Sequence, residues 1–109
     1  MTEITAEWKV FLTDEAVDEF FSLSGELQGR LFALLELLEE VGIFQIPPKR
    51  KKHLKGEIWE LRVDALEGTA RALYLTRKKD VFIVLIFVKK TEKTPQRIIK
   101  LAEKRIREV

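Results

Sequence analysis

The sequence predicts a single α+β domain over residues 1–109, with the element order β-α-α-β-β-β-α. A run of eight apolar, mostly β-branched residues, 81–88, is typical of a strand buried on both faces. Two stretches before it, 58–63 and 70–76, alternate between faces and are joined by short polar turns, which indicates an antiparallel sheet. Leucines spaced three and four apart within residues 27–41 predict an amphipathic helix. Together these features predict an antiparallel sheet with an N-terminal helical hairpin and a C-terminal helix.

The N-terminal half supplies the first strand and the hairpin. Residues 7–12 alternate and predict a strand. Thr13 or Asp14 can cap the first helix, because a short polar side chain accepts hydrogen bonds from the free N–H groups of the first turn. Ser24 can cap the second helix in the same way, and Gly42 is a typical residue for its end. We therefore expect two helices that pack against the sheet.

The C-terminal half supplies a basic segment, three strands and the last helix. Residues 49–56 are predicted to form an exposed, solvated loop, which is also a candidate footprint for nucleic acid. The last helix is predicted from Pro95 to about Glu108. Thr94 offers the capping oxygen there, and proline at the first helical position loses nothing by lacking an N–H.

Composition restricts the possible classes of protein. The chain has 109 residues, 46% hydrophobic and 35% charged, which is typical of one globular domain. It has no cysteine and one histidine, so neither a disulfide framework nor a Cys or His metal site is expected. Glu7 and Lys9 interrupt the first apolar run, unlike a signal peptide, and nothing approaches the roughly 18 apolar residues of a membrane span. We expect a cytoplasmic protein with no cofactor, no metal and no membrane partner.

The charge is distributed very unevenly. The net charge is +2, yet residues 1–48 carry two basic and ten acidic side chains, a balance of −8. Residues 49–109 carry eighteen basic and eight acidic side chains, a balance of +10. Such asymmetry indicates a polyanionic partner for the second half.

The residues that could carry chemistry are cationic. The sequence contains no phosphate-binding loop, dinucleotide fingerprint, zinc-protease motif or nucleophile elbow. Arg62 and Arg71 lie within predicted strands, and the planar guanidinium suits phosphate. Lys89 and Lys90 follow the central strand just before a predicted helix N-terminus, a favourable place for phosphate.

Two uses of these cations remain open. One is passive binding of a nucleic-acid backbone. The other is RNA cleavage, in which cations stabilise a dianionic transition state. Cleavage also requires proton transfer, for which His53, Glu60 or a lysine of lowered pKa are candidates.

Three motifs in order resemble the RelE/ParE/HigB toxin superfamily, and most closely its phage-derived, HigB-like branch. They are LKGEIWELRV at 54–63, ARALY at 70–74 and FVKKTEKTP at 87–95. The resemblance covers essentially the whole chain and implies a RelE-like fold. It also implies the toxin of a type II toxin–antitoxin system, a ribosome-dependent mRNA endoribonuclease (mRNA interferase) that acts without a metal and inhibits translation. The implied partners are mRNA, the ribosome and a cognate antitoxin, commonly a helix-turn-helix DNA-binding protein.

The resemblance also implies site residues. Arg71 matches the arginine that contacts the scissile phosphate in RNA-cleaving relatives. Arg62 matches the strand arginine of the first motif, and Lys89 and Lys90 match the basic pair after the central strand. These four residues are the expected catalytic set. Lys55 matches the lysine of the first motif, and the full set expected to bind RNA is Lys51, Lys52, His53, Lys55 and Lys93. The chain lacks the tyrosine that some relatives carry in the last helix, and Tyr74 is predicted to be a core residue.

Two other functions remain open at this point. The same fold in ParE-like relatives inhibits DNA gyrase, and fold does not fix function. A non-catalytic RNA-binding regulatory module would also use the basic half. In each toxin case we expect acidic groups of the antitoxin to cover the basic surface.

Overall fold

The computed structural model describes residues 7–90 and 93–109, which form a five-stranded sheet and three α-helices. Two short 3-10 helices, Ile43–Gln45 and Pro48–Arg50, connect the second α-helix to the sheet. In chain order the elements are β1 (Lys9–Leu12), α1 (Asp14–Phe21), α2 (Gly25–Val41), β2 (Lys51–Lys55), β3 (Ile58–Ala65), β4 (Gly68–Arg77), β5 (Asp80–Lys89) and α3 (Gln96–Ile106).

The strands lie in the order β1-β5-β4-β3-β2. Strands β2 to β5 form an antiparallel meander, of which β3, β4 and β5 are the three predicted strands. Strand β1 joins the open edge of β5 in parallel, with Lys9 opposite Asp80 and Leu12 opposite Ile83. The predicted α+β class and helical hairpin are confirmed.

The prediction of a loop at 49–56 is wrong, because Lys51–Lys55 form β2 at the edge of the sheet. This strand carries four charged or titratable residues and a single apolar one, so it lacks the hydrophobic alternation of an inner strand. Edge strands are often rich in lysine, which prevents pairing with other chains. Because an edge strand favours lysines over alternating apolar residues, its sequence pattern does not identify it as a strand.

The helices pack on both faces of the sheet. Leucines of α2, among them Leu27, Leu31 and Leu38, pack with Leu61 and Tyr74 in one core layer. On the other face α3 packs through Ile99 and Ala102, and the strand residues of this second layer are Ile58, Leu73, Leu75, Val84 and Leu85. We call the first the hairpin face and the second the α3 face.

Helix ends match the predictions in the hairpin and differ in α3. The hydroxyls of Thr13 and Ser24 accept hydrogen bonds from the backbone N–H groups of Ala16 and Leu27, as caps do. Predicting Thr94 as the cap of α3 is wrong, because Pro95 occupies that position and no side chain caps the helix. The hydroxyl of Thr94 is used instead in a buried polar cluster described below.

None of the helices in the described ranges is long and apolar enough to cross a membrane.

Candidate functional site

Four neighbouring strands each place one cationic side chain on the α3 face. Arg62 of β3 lies directly opposite Arg71 of β4. Arg71 pairs with the residue two positions before Lys89 of β5. Lys52 of β2 pairs with the residue two positions before Arg62. Because side chains two positions apart on a strand share a face, Lys52, Arg62, Arg71 and Lys89 form a row, which we call the cationic row.

The row lies beside the part of the face that α3 covers. Helix α3 packs over Leu73 and Leu75, at the far end of β4 from the β3–β4 turn. Lys52 is exposed, and Arg62 and Lys89 are half-buried. These three side chains therefore reach solvent from one continuous strip of the sheet.

Arg71 differs from its neighbours because it is buried, with 1% of its surface exposed. Its Nη1 lies 3.3 Å from Oε1 of Glu60, which is fully buried. The same Nη1 donates to Oγ1 of Thr94 at 3.1 Å, and Thr94 donates to Oε1 of Glu60 at 3.0 Å. We call these three side chains the buried cluster. A charge is tolerated in such a place because it is paired and hydrogen-bonded.

The carboxylate of Asp64 lies next to the cationic row, beside the β3–β4 turn. The Thr69 hydroxyl donates to Oδ1 of Asp64 at 2.7 Å, and Nη1 of Arg50 donates to Oδ2 at 3.1 Å. The Thr69 hydrogen bond is the largest cause of the lowered pKa of Asp64, and Arg50 and Arg62 lower it further. Asp64 therefore stays ionised at neutral pH and is a poor proton donor.

The other predicted cations do not all join the row. Lys90 and Lys93 are exposed beyond the end of β5. Lys55 pairs with Glu103 of α3 at 3.3 Å. Lys51 and His53 alternate with Lys52 along β2 and lie on the hairpin face, where the His53 ring contacts Trp59. The basic segment is thus split between the two faces of the sheet.

Two of the three proton-transfer candidates are poorly placed for the row. His53 lies on the opposite face, with Nε2 2.7 Å from the carbonyl oxygen of Gly56. Glu60 is fully buried and bonded to Arg71 and Thr94. A lysine of the row, Lys52 or Lys89, remains as the candidate.

Sequence reasoning missed the buried cluster. The signal available was a glutamate inside an apolar strand, next to a strand that carries an arginine on the same face. A buried glutamate requires such a partner. The described ranges contain no group of three or more His, Cys, Asp or Glu side chains that could hold a metal ion.

Comparison with protein families gives a clear result for most of the chain. Residues 18–107 match the family described as Phage derived protein Gp49-like (DUF891). The chain belongs to this family. No curated protein matches it in sequence.

Solved structures of RelE toxins share the fold of this Gp49-like chain. A free, doubly mutated E. coli toxin RelE matches with a TM-score of 0.66 and 16% identity, over 93% of this chain and 99% of that one. The toxin–antitoxin complex RelBE2 from Mycobacterium tuberculosis matches with a TM-score of 0.58 and 16% identity, over 77% of this chain and 100% of that one. The archaeal RelE–RelB complex from Pyrococcus horikoshii OT3 matches with a TM-score of 0.52 and 19% identity, over 76% and 96%. The predicted RelE-like fold is confirmed.

Proposed function

We propose that this chain is the toxin of a type II toxin–antitoxin system and that it cleaves mRNA on the ribosome. The observation that carries the proposal is the cationic row, in which four strands of a RelE-like sheet direct positive side chains to one strip. The RelE fold of the solved relatives supports the same assignment. We further propose that the protein acts in the cytoplasm, where its substrate is found.

The chemistry proposed is transfer of the phosphoryl group within the RNA chain. The 2′-oxygen forms a bond to phosphorus while the bond from phosphorus to the 5′-oxygen breaks, leaving a 2′,3′-cyclic phosphate and a free 5′-hydroxyl. The 2′-hydroxyl loses a proton to a base and the leaving oxygen gains one. Cations fixed at the phosphate stabilise the charge that develops, and this electrostatic term is often the largest contribution to catalysis.

The cations of the row have different proposed tasks. Arg62, Lys52 and Lys89 reach solvent and are proposed to contact phosphate oxygens directly. Direct contact by Arg71 would require its guanidinium to leave the buried cluster, where only 1% of its surface is exposed. In the described arrangement the charge of Arg71 is paired with the Glu60 carboxylate, so the proposed task of Arg71 is to hold β3 and β4 in place beneath the three cations that reach solvent.

A cognate antitoxin is the proposed protein partner. Two of the structural relatives are complexes of RelE-type toxins with their antitoxins. We propose an antitoxin that covers the cationic row with acidic side chains, since complementary charge favours rapid and specific association. A helix-turn-helix protein encoded next to this chain would fit that role.

Inducible expression tests the proposal. Expression of the wild-type chain should arrest growth and deplete full-length mRNA. Arg62→Ala should relieve the arrest, because it removes a half-buried cation of the row. Arg30→Ala is the matched control, because Arg30 is an exposed arginine of α2 that pairs with Glu26. This variant should remain toxic. Growth arrest with intact mRNA and inhibited DNA supercoiling would reject mRNA cleavage in favour of a ParE-like gyrase inhibitor.

A further inference from the structure

A cavity lies on the hairpin face, on the side of the sheet opposite the cationic row. It has a volume of about 180 Å³ and is open to solvent. Four aromatic side chains and two lysines are among the residues that line it: Trp8, Phe44, Trp59, Tyr74, Lys51 and Lys78. The cavity lies between Trp8, which directly precedes β1, the first 3-10 helix and residues of β2, β3 and β4.

The aromatic walls are unusually exposed. Phe44 is 81% exposed and Trp59 is 38% exposed, although both are large apolar side chains. The ring of Trp8 meets Phe44 edge to face, with centroids 5.8 Å apart. Gly42 allows this arrangement, because a Cβ at that position would lie 2.5 Å from Nε1 of Trp8. Aromatic faces are therefore presented at the mouth of the cavity.

Polar groups are placed among these rings. Tyr74 is 2% exposed as a residue and lines the cavity, where it supplies a phenolic hydroxyl that can both donate and accept a hydrogen bond. The ammonium group of Lys51 uses one of its donors on the carbonyl oxygen of Ile43, at 2.8 Å. Lys78 is exposed in the β4–β5 turn, with a φ of 56°. One hydroxyl and two ammonium groups are thus placed among the rings, where they can bond to the polar groups of a ligand.

We propose that this cavity binds a nucleobase of single-stranded RNA. The base would stack on Phe44 and Trp59, its polar edge would bond to the hydroxyl of Tyr74, and the adjoining phosphate would meet Lys51 and Lys78. Aromatic stacking combined with cations is the usual way in which proteins hold single-stranded RNA. The choice of RNA as ligand rests on the proposed function.

Strand β2 links the cavity to the cationic row. Its alternation places Lys51 and His53 on the cavity side and Lys52 on the row side. An RNA strand that passes over this edge would meet cations on both faces. Protection of the sheet edge also explains lysines on β2, but it does not explain the exposed rings of Phe44 and Trp59.

The two tryptophans make the cavity directly observable. Trp8 and Trp59 are the only tryptophans of the chain, and both line it. Titration of the purified protein with uridine or adenosine 5′-monophosphate, and with a twelve-residue oligouridylate, should quench tryptophan fluorescence to saturation. Phe44→Ala should weaken the oligonucleotide affinity about tenfold, since one base–aromatic stack commonly contributes that much or more. Phe21→Ala is the matched control, because Phe21 is a 69% exposed phenylalanine on α1 and should leave affinity unchanged.

Two further variants test the polar contacts. Tyr74→Phe keeps the ring and should weaken nucleotide binding several-fold. Lys78→Asn suits the positive φ and should reduce the salt dependence of oligonucleotide binding. Equal affinity of wild-type and Phe44→Ala, no quenching by any nucleotide, or quenching only by a phenylalanine-rich peptide would each overturn the proposal.

The same assays separate this inference from the proposed function. If both are correct, Arg62→Ala loses mRNA cleavage and keeps nucleotide-dependent quenching. Quenching by nucleotides without any mRNA cleavage supports the cavity and rejects the nuclease. Cleavage without nucleotide-dependent quenching supports the nuclease and rejects the cavity.

Discussion

Removal of the Glu60 carboxylate should strongly destabilise the protein. Glu60→Ala leaves the guanidinium of Arg71 buried without the carboxylate that lies 3.3 Å away, and Thr94 loses the acceptor of its hydroxyl. Both charged side chains are almost completely buried. Breaking such a pair from one side costs about 3–5 kcal/mol. That loss is a large part of the roughly 5–15 kcal/mol that stabilises a typical domain.

Urea unfolding followed by circular dichroism measures this loss. With an m-value of about 2 kcal/mol/M, the midpoint of Glu60→Ala should fall by roughly 2 M. The double variant Glu60→Met/Arg71→Met should be more stable than Glu60→Ala, because apolar side chains remove both desolvated charges. Glu57→Ala is the control in the same part of the sheet, since Glu57 pairs with Arg77 at an exposed position and its loss should barely move the midpoint.

Two results would contradict this reasoning. A loss below about 1 kcal/mol for Glu60→Ala would show that the pair is not desolvated as its burial indicates. A double variant less stable than the single one would show that Arg71 stabilises the fold through contacts other than Glu60.

Three further predictions concern the same framework. Thr94→Val removes a hydroxyl that both donates and accepts in the buried cluster. Thermal unfolding should show that the free energy of unfolding falls by about 1–3 kcal/mol. A loss of stability confined to helix α3 would indicate instead that Thr94 caps that helix. Gly42→Ala places a Cβ against Trp8 at a backbone φ of +87°, which favours glycine. The variant should therefore have a lower melting temperature and a shifted tryptophan emission spectrum. An unchanged emission spectrum would refute the contact. Asp64 has a lowered pKa, so its contribution to stability is present above the ordinary value of 3.8 and is lost as pH falls through the lower folded value. The stability gap between wild type and Asp64→Asn should therefore be constant above about pH 5 and shrink below 3.8, and a gap that does not depend on pH would contradict the assigned bonds.

The inner elements were predictable from the sequence because each is governed by local pattern. Residues 81–88 form most of β5, and the caps Thr13 and Ser24 start their helices as expected. These signals depend on hydrophobic periodicity and on the chemistry of a single turn. Both signals can be evaluated without knowing which distant residues of the chain pack against the element.

Features that depend on remote pairing were not predictable. Strand β2 is a strand because β3 pairs with it, not because its own sequence alternates. Thr94 has the sequence context of a helix cap, but Glu60 and Arg71, brought close by the fold, bind its hydroxyl. The cavity on the hairpin face joins Trp8 to Trp59 across the sheet, and no sequence motif links these two residues.

The residues proposed for the site divide in the same way. Arg62 and Arg71 were both predicted to lie within strands and to belong to the site, and the register places them opposite each other. The basic segment was predicted to be one exposed loop, but it forms β2, and alternation along this strand separates Lys51 from Lys52. The catalytic and RNA-binding roles themselves stay predictions until they are measured.

Primer extension on mRNA in a reconstituted translation reaction tests the central claim most directly. Purified wild-type protein should produce new 5′ ends within the mRNA on translating ribosomes, Arg62→Ala should produce few, and Arg30→Ala should match wild type. Intact mRNA with wild-type protein, both with and without ribosomes, would contradict the account that the cationic row cleaves RNA.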